Sequence, residues 1–254
     1  MHIFKKVLNV IFNIYCGLTL LIVISVAFLI ALTSVFLSPK KRSDFIYNTC
    51  RIGFDVLFFL WGINHKNIYE TPHDSTKPVI FVYNHISYLD AMVILITIRN
   101  QSIRGLGKVE ISKIPMLGFM YKHAVIMVKR DDAEDRARSV ADLKAAINDN
   151  ISIILAPEGT FNMTPKPLTR FYDGAFRIAI QTQTPIKPLL FLDTYDRLNY
   201  NSIFSVKPGK SRVVYLDEIS VEGYTIDDVA VLRQKVYDIM EAALIRYNAS
   251  WIKE

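Results

Sequence analysis

Val79-Ile-Phe-Val-Tyr-Asn-His-Ile-Ser-Tyr-Leu-Asp90 decides the fold. An uncharged run of β-branched and aromatic residues breaks at a polar step, Asn84-His85, and an apolar stretch over Leu89 to Ile98 follows at once, which predicts a strand, a tight turn and a buried helix. The same pattern recurs downstream. Val125 to Lys129, Ser152 to Ala156, Ile186 to Leu192 and Arg212 to Leu216 read as further strands, with helices over Ala133 to Asn148, Gly174 to Gln183 and Ile226 to Tyr247. Strands alternating with helices predict an α/β domain around a central, largely parallel sheet flanked by helices. In such sheets functional groups gather beyond the C-terminal ends of the strands. Three polar clusters fall there: Asn84-His85 with Asp90, Lys129-Arg130, and Pro157-Glu158-Gly159-Thr160.

Upstream of this pattern the chain changes character at Asp74-Ser-Thr-Lys-Pro78, dividing residues 1–74 from an α/β domain over 75–254. No charge occurs from Val7 to Pro39, and Leu18 to Leu32 is almost wholly apolar. That exceeds the roughly 20 residues a helix needs to cross a bilayer, and it is longer than the apolar core of a cleaved leader. A permanent N-terminal membrane anchor is expected. Lys5 and Lys6 before it against Lys40, Lys41 and Arg42 after it favour a cytoplasmic C-terminal side. A second apolar stretch, Phe54 to Ile63, suits either an interfacial helix with Trp61 at headgroup depth or an ordinary core helix. Across the 254 residues, 51% hydrophobic content excludes disorder, and 21% charged residues argue against a purely membrane-embedded bundle. The net charge of +6 favours acidic partners. Cys16 and Cys50 are too few for a disulfide framework, which points to a reducing compartment.

The clusters carry chemistry of a definite kind. An imidazole accepts an alcohol proton at neutral pH when a neighbour fixes its tautomer, and Asp90, across a strand-to-helix turn from His85, is placed to do so. In a plainer reading of the same residues Asp90 caps the helix and His85 packs. Arg130 ends an apolar strand and can grip phosphate through paired hydrogen bonds, or can be a solvated strand end paired with Asp131 and Asp132. Pro157 ends a buried strand, Gly159 permits a tight turn, and Glu158 can bond a hydroxyl or orient cations. Ser87 lacks the glycine-flanked elbow of a serine nucleophile. Gly209-Lys210-Ser211 lacks the upstream glycine and following helix of a phosphate loop. His2, His65, His73, His85 and His123 are scattered, so no metal site is expected.

In order and spacing these clusters resemble the glycerolipid acyltransferase family over about residues 78 to 192. Asn84-His85 with Asp90 matches its His-four-residues-Asp motif, Arg130 its second motif, Pro157-Glu158-Gly159-Thr160 its third and Pro185 with the following strand its fourth, while Lys108 to Pro115 matches the linker between the first two. The resemblance implies a mixed, largely parallel sheet and a catalytic domain over 75–254. It implies transfer of a fatty acyl group from acyl-CoA or acyl carrier protein to the free hydroxyl of 1-acylglycerol-3-phosphate, giving phosphatidic acid. His85 and Asp90 would be catalytic, and Asn84, Lys108, Arg130, Glu158, Gly159 and Thr160 substrate-binding, with the acceptor head group held by Lys108, Arg130 and Glu158. Amides near Gly159 would meet the oxyanion. No cofactor beyond the thioester co-substrate, no metal and no nucleic acid is implied, and the expected location is the inner membrane with the catalytic domain on the cytoplasmic side. Two positions depart from the pattern. Ala124 stands where the family has glycine, and Phe161 stands where it has an arginine for the acceptor phosphate, with Lys166 and Arg170 the nearby cations. Phe161 motivates an alternative acceptor, a lyso-aminolipid or lyso-ornithine-type lipid. A non-catalytic lipid-binding protein on the same fold is the remaining alternative.

Overall fold

The computed structural model describes residues 2–129 and 132–252. Two N-terminal helices, α1 (His2–Leu32) and α2 (Pro39–Leu60), lie against each other, with Pro39 in the first turn of α2, where its missing N–H costs nothing. The chain then alternates through β1 (Ile63–Tyr69), β2 (Ile80–Tyr83), α3 (Asp90–Thr97), β3 (Ile103–Lys108), α4 (Leu117–Ala124), β4 (Val125–Val128), α5 (Ala133–Asn148), β5 (Ser152–Leu155), α6 (Gly174–Thr182), β6 (Ile186–Phe191), the single turn α7 (Thr194–Arg197), β7 (Gly209–Tyr215) and α8 (Val229–Arg246). The seven strands form one sheet in the order β1-β7-β6-β2-β5-β3-β4, parallel throughout except where β6 meets β7.

The central strands β2, β5 and β6 are buried along their whole length because helices cover both faces. On one face Leu143 of α5, Phe176 of α6 and Leu232, Val236 and Met240 of α8 pack on Ile80, Val82 and Ile153. On the other, Leu57 and Phe58 of α2, and Val93 and Ile96 of α3, pack on Phe81, Leu189 and Phe191. The expected α/β architecture and its mixed, largely parallel sheet are present. Two strands were not expected. β1 is polar, Ile-Asn-His-Lys-Asn-Ile-Tyr, and lies before the 74/75 division, while β3 carries two glycines.

Trp61 is not at an interface. It is 2% exposed, its Nε1 donates to Thr19 Oγ1 at 2.9 Å, and it pins the end of α2 to α1, because an indole in the core needs its N–H satisfied. The apolar run around it packs on the core through Leu57 and Phe58 and leaves Val56 and Phe59 exposed. α1 meets the domain repeatedly, through Asn13, Thr19, Ser25, Ala27 and Ala31, while Phe4, Leu8, Ile11, Leu18, Ile22 and Leu29 form an exposed apolar stripe. These spacings of three, four and seven residues place the stripe on one helix face.

Candidate active site

At the end of β2 the Asn84 side chain replaces the next ladder rung: its Nδ2 donates to Phe191 O at 3.1 Å and its Oδ1 accepts the Phe191 N–H at 2.8 Å. This holds the strand end against β6 and turns the chain sharply toward α3. His85 follows, and its Nδ1 lies 2.8 Å from Asp90 Oδ2. The same oxygen accepts the backbone N–H groups of Ile86 at 2.8 Å and Ser87 at 2.9 Å. Asp90 is fully buried at the first residue of α3, where the helix dipole favours negative charge. Its donors precede the helix, so it is not a cap. It is the partner of the histidine ring, fixing hydrogen on Nδ1 and leaving the Nε2 lone pair as the proton acceptor.

His85 is held from its main chain as well. Its N–H donates to Glu158 Oε1 at 3.0 Å, while Glu158 Oε2 accepts both the N–H and the hydroxyl of Thr169 at 2.8 Å. Burial pushes the Glu158 carboxyl up, against the opposing pull of these hydrogen bonds. Glu158 is 2% and Asn84 1% exposed, and neither lines the cavity on which the histidine opens, so the structure places both in the frame around the histidine and not, as expected, facing substrate. Gly159 adopts a left-handed φ of +71° and its N–H donates to Ala156 O at 3.0 Å, so this amide closes the turn and is engaged away from any oxyanion. Ser87 is buried, its hydroxyl donating to Leu198 O and accepting the Leu89 N–H, a tether with no nucleophilic role.

The histidine opens on a cavity of about 500 Å³, within the ordinary range of small-molecule sites. Gly159, Thr160, Phe161 and Lys108 lie around it with His85 and Tyr88, and it continues between β3 and α4, past Gly107 and Tyr121, to Tyr47 of α2. Its lining there is mostly apolar. Gly107 is needed because a Cβ there would meet the Tyr121 hydroxyl at 2.0 Å. Phe161 sits on the histidine itself, ring centroids 4.4 Å apart, and also meets Tyr88 at 5.0 Å. Lys166 and Arg170 are exposed and do not line the cavity. Arg130 and Asp131 lie outside the described residues, while Asp132 caps α5 by accepting the N–H groups of Glu134 and Asp135 at 2.9 and 3.1 Å. Among the described residues no group of three or more His, Cys, Asp and Glu side chains is placed to hold a metal.

The site thus joins His85, Asp90, Lys108, Gly159 and Thr160, and adds Thr169, Phe161, Gly107 and Tyr121, which sequence reasoning did not assign to it. Only the two glycines in the strand Ile103–Lys108 hinted that something approaches that backbone closely.

Comparisons with known proteins bear on the family and the fold. A family model described as acyltransferase matches residues 63–192. A 1-acyl-sn-glycerol-3-phosphate acyltransferase of Haemophilus influenzae is 30% identical over 190 residues, covering 74% of this chain and 77% of its own. The alpha form of the enzyme of that name from Mus musculus is 27% identical over 180 residues, covering 70% and 62% respectively. The crystal structure of a 1-acyl-sn-glycerophosphate acyltransferase from Thermotoga maritima superposes with a TM-score of 0.75 at 19% identity, covering 98% of this chain and all of the other, and shares its fold.

Proposed function

The chain belongs to the acyltransferase family, and from that premise we propose that it moves a fatty acyl group from a thioester to the free hydroxyl of 1-acylglycerol-3-phosphate, forming phosphatidic acid. The observation that carries this reading is the His85–Asp90 pair, its carboxylate buried and its imidazole part-exposed at the mouth of a mostly apolar cavity. His85 Nε2 takes the hydroxyl proton as the alkoxide oxygen attacks the thioester carbonyl, and Asp90 balances the imidazolium that results. Collapse of the tetrahedral adduct breaks the carbon–sulfur bond, and the proton passes from the imidazolium to the departing thiolate. No acyl-enzyme forms. The acyl chain lies along the apolar cavity toward Tyr121 and Tyr47. Lys108, exposed at the end of β3, offers a cation to the acceptor phosphate, and Arg130 is assigned the same task from its place after β4. Acyl-CoA and acyl carrier protein both present the thioester and the anionic group that a basic chain favours.

The exposed stripe of α1 seats the protein in one leaflet of a membrane, where the lysophospholipid acceptor is found, with the thioester donor reaching it from water. We place it on the cytoplasmic face of the inner membrane, since α1 carries cations at both ends, Lys5 and Lys6 before it and Lys40, Lys41 and Arg42 after it. The test is acyl transfer by detergent-purified protein given a labelled thioester. His85→Ala and Asp90→Asn are expected to lose at least about a hundredfold in kcat with membrane association intact. Undiminished turnover in His85→Ala overturns the mechanism and leaves the non-catalytic lipid-binding reading.

A specific observation favours a second acceptor. Phe161 covers the His85 ring with an apolar face where the family carries a phosphate-binding arginine. An amine-bearing lysolipid, lyso-aminolipid or lyso-ornithine-type, asks for no such cation. Parallel assays decide: faster acylation of lysophosphatidic acid supports the first reading, and product only with amine-bearing lysolipids supports the second.

A further inference from the structure

Between α7 and β7 the chain forms a loop, Asn199–Lys207, whose tip carries two adjacent apolar residues in the open: Ile203 is 59% and Phe204 73% exposed. The tip is braced. Asn199 Oδ1 accepts the Asn201 N–H at 3.0 Å, Ser202 Oγ accepts the Phe204 N–H at 3.1 Å, and the Ser205 hydroxyl donates to Ser202 O at 2.6 Å. It is also tied at both ends. The Val206 N–H donates to Asn13 Oδ1 of α1 at 2.9 Å, and Asn199 forms an antiparallel bridge with Ser87 in the His85 loop. Phe204 closes one side of an apolar groove of about 580 Å³ whose other wall is Val10, Ile14, Leu18 and Leu21 of α1.

We propose that Ile203 and Phe204 are a second point of entry into the bilayer, set beside α1, and that the loop thereby fixes the depth of the catalytic pair beneath the headgroups. The bilayer is the occupant because the groove is continuous with the exposed apolar stripe of α1, and because charge around the tip suits an anionic leaflet. From Arg197 to Leu216 there is no acidic residue, while Lys207 and Lys210 are exposed at the base of the loop. An apolar tip above lysines is the arrangement of an interfacial segment, with ammonium groups at headgroup level and rings below. The inference rests on the seating of α1 proposed above.

The experiment uses single tryptophan additions to the full chain, reconstituted in vesicles of phosphatidylglycerol and phosphatidylcholine with brominated acyl chains. Trp61 and Trp251 are buried, 2% and 4% exposed, and the unaltered protein gives their background. Phe204→Trp is expected to be quenched at least twofold more than Val231→Trp on α8, which is on the opposite face of the sheet, and as strongly as Leu18→Trp on α1. Ile203→Trp repeats the test at the neighbouring position. Quenching at Leu18 without quenching at Phe204 and Ile203 overturns the loop's role and leaves the α1 seating. Quenching at none of the three overturns both. A blue-shifted Phe204→Trp emission in detergent that varies with protein concentration assigns the patch to a second copy of the chain and overturns the proposal.

Discussion

Glu158 gathers three donors from two loops, the N–H of His85 and the N–H and hydroxyl of Thr169, and so ties the base to the turn that forms the other side of the cavity. An amide at this position keeps one acceptor oxygen and turns an NH₂ toward donors, leaving at least one of them buried and unmatched, at a cost of about 1–3 kcal/mol. That free energy falls on the placement of the imidazole. Glu158→Gln is therefore expected to reduce kcat roughly ten- to a hundredfold with little change in thioester KM, while Thr169→Val, which removes only the hydroxyl, costs a few-fold. Equal losses in kcat and in thioester binding would place Glu158 against substrate instead. The pair His85 and Asp90 was legible in the sequence because both groups, and the turn between them, are local. The work of Glu158 and Asn84 was not, since their partners are main-chain groups 73 and 107 residues distant, and a backbone N–H leaves no mark on composition.

At the next scale, β1 is held by a polar device. His65 bridges three elements, with Nδ1 3.1 Å from Ser211 Oγ on β7 and Nε2 3.0 Å from Asn67 Oδ1 and 3.2 Å from Thr97 Oγ1 at the end of α3. Burial lowers its pKa to about 4, so the ring is neutral in the fold while the unfolded imidazole titrates near 6.5. Between those values the unfolded chain binds the extra proton. Stability present above pH 6.5 is thus lost as pH falls toward 4, by roughly 2–4 kcal/mol at the limit. Thermal unfolding between pH 7 and 4 is expected to show this fall in the unaltered protein and a shallower one in His65→Gln; parallel curves would refute it. The same polarity hid β1 from the sequence, because pairing with β7 and burial against α2 override its weak β-pattern. In β3, Gly105 and Gly107 broke the apolar run for a reason that belongs to the cavity. Gly107→Ala is expected to push Tyr121 into the apolar channel and to slow long-chain thioesters at least several-fold more than short ones, as competition assays with paired donors would register. Uniform slowing would mean that the channel does not hold the acyl chain.

On the scale of the molecule, α1 passes by length and hydropathy as a membrane span over Phe4–Phe36, yet its contacts speak for another arrangement. Asn13 holds the loop before β7, Thr19 holds Trp61 at the end of α2, Ser25 touches Met116 before α4, and Ala31 packs with Ile46. From Asn13 to Ala31 the helix rises about 27 Å, nearly the hydrocarbon thickness of a bilayer. A helix standing upright through the bilayer would carry all of these loops, with their backbone groups and charges, into hydrocarbon that offers them no hydrogen bonds. Lying flat, the same helix buries its apolar stripe in one leaflet and leaves the domain, apart from the apolar tip of the loop before β7, in water. Both ends of α1 then face the same compartment. In a background with Cys16 and Cys50 replaced by alanine, Lys5→Cys and Lys40→Cys are expected to react with a membrane-impermeant maleimide from the same side of sealed membranes, since both positions are exposed. Labelling from opposite sides would make α1 a true span, and the contacts that join it to the domain would have to open in the membrane.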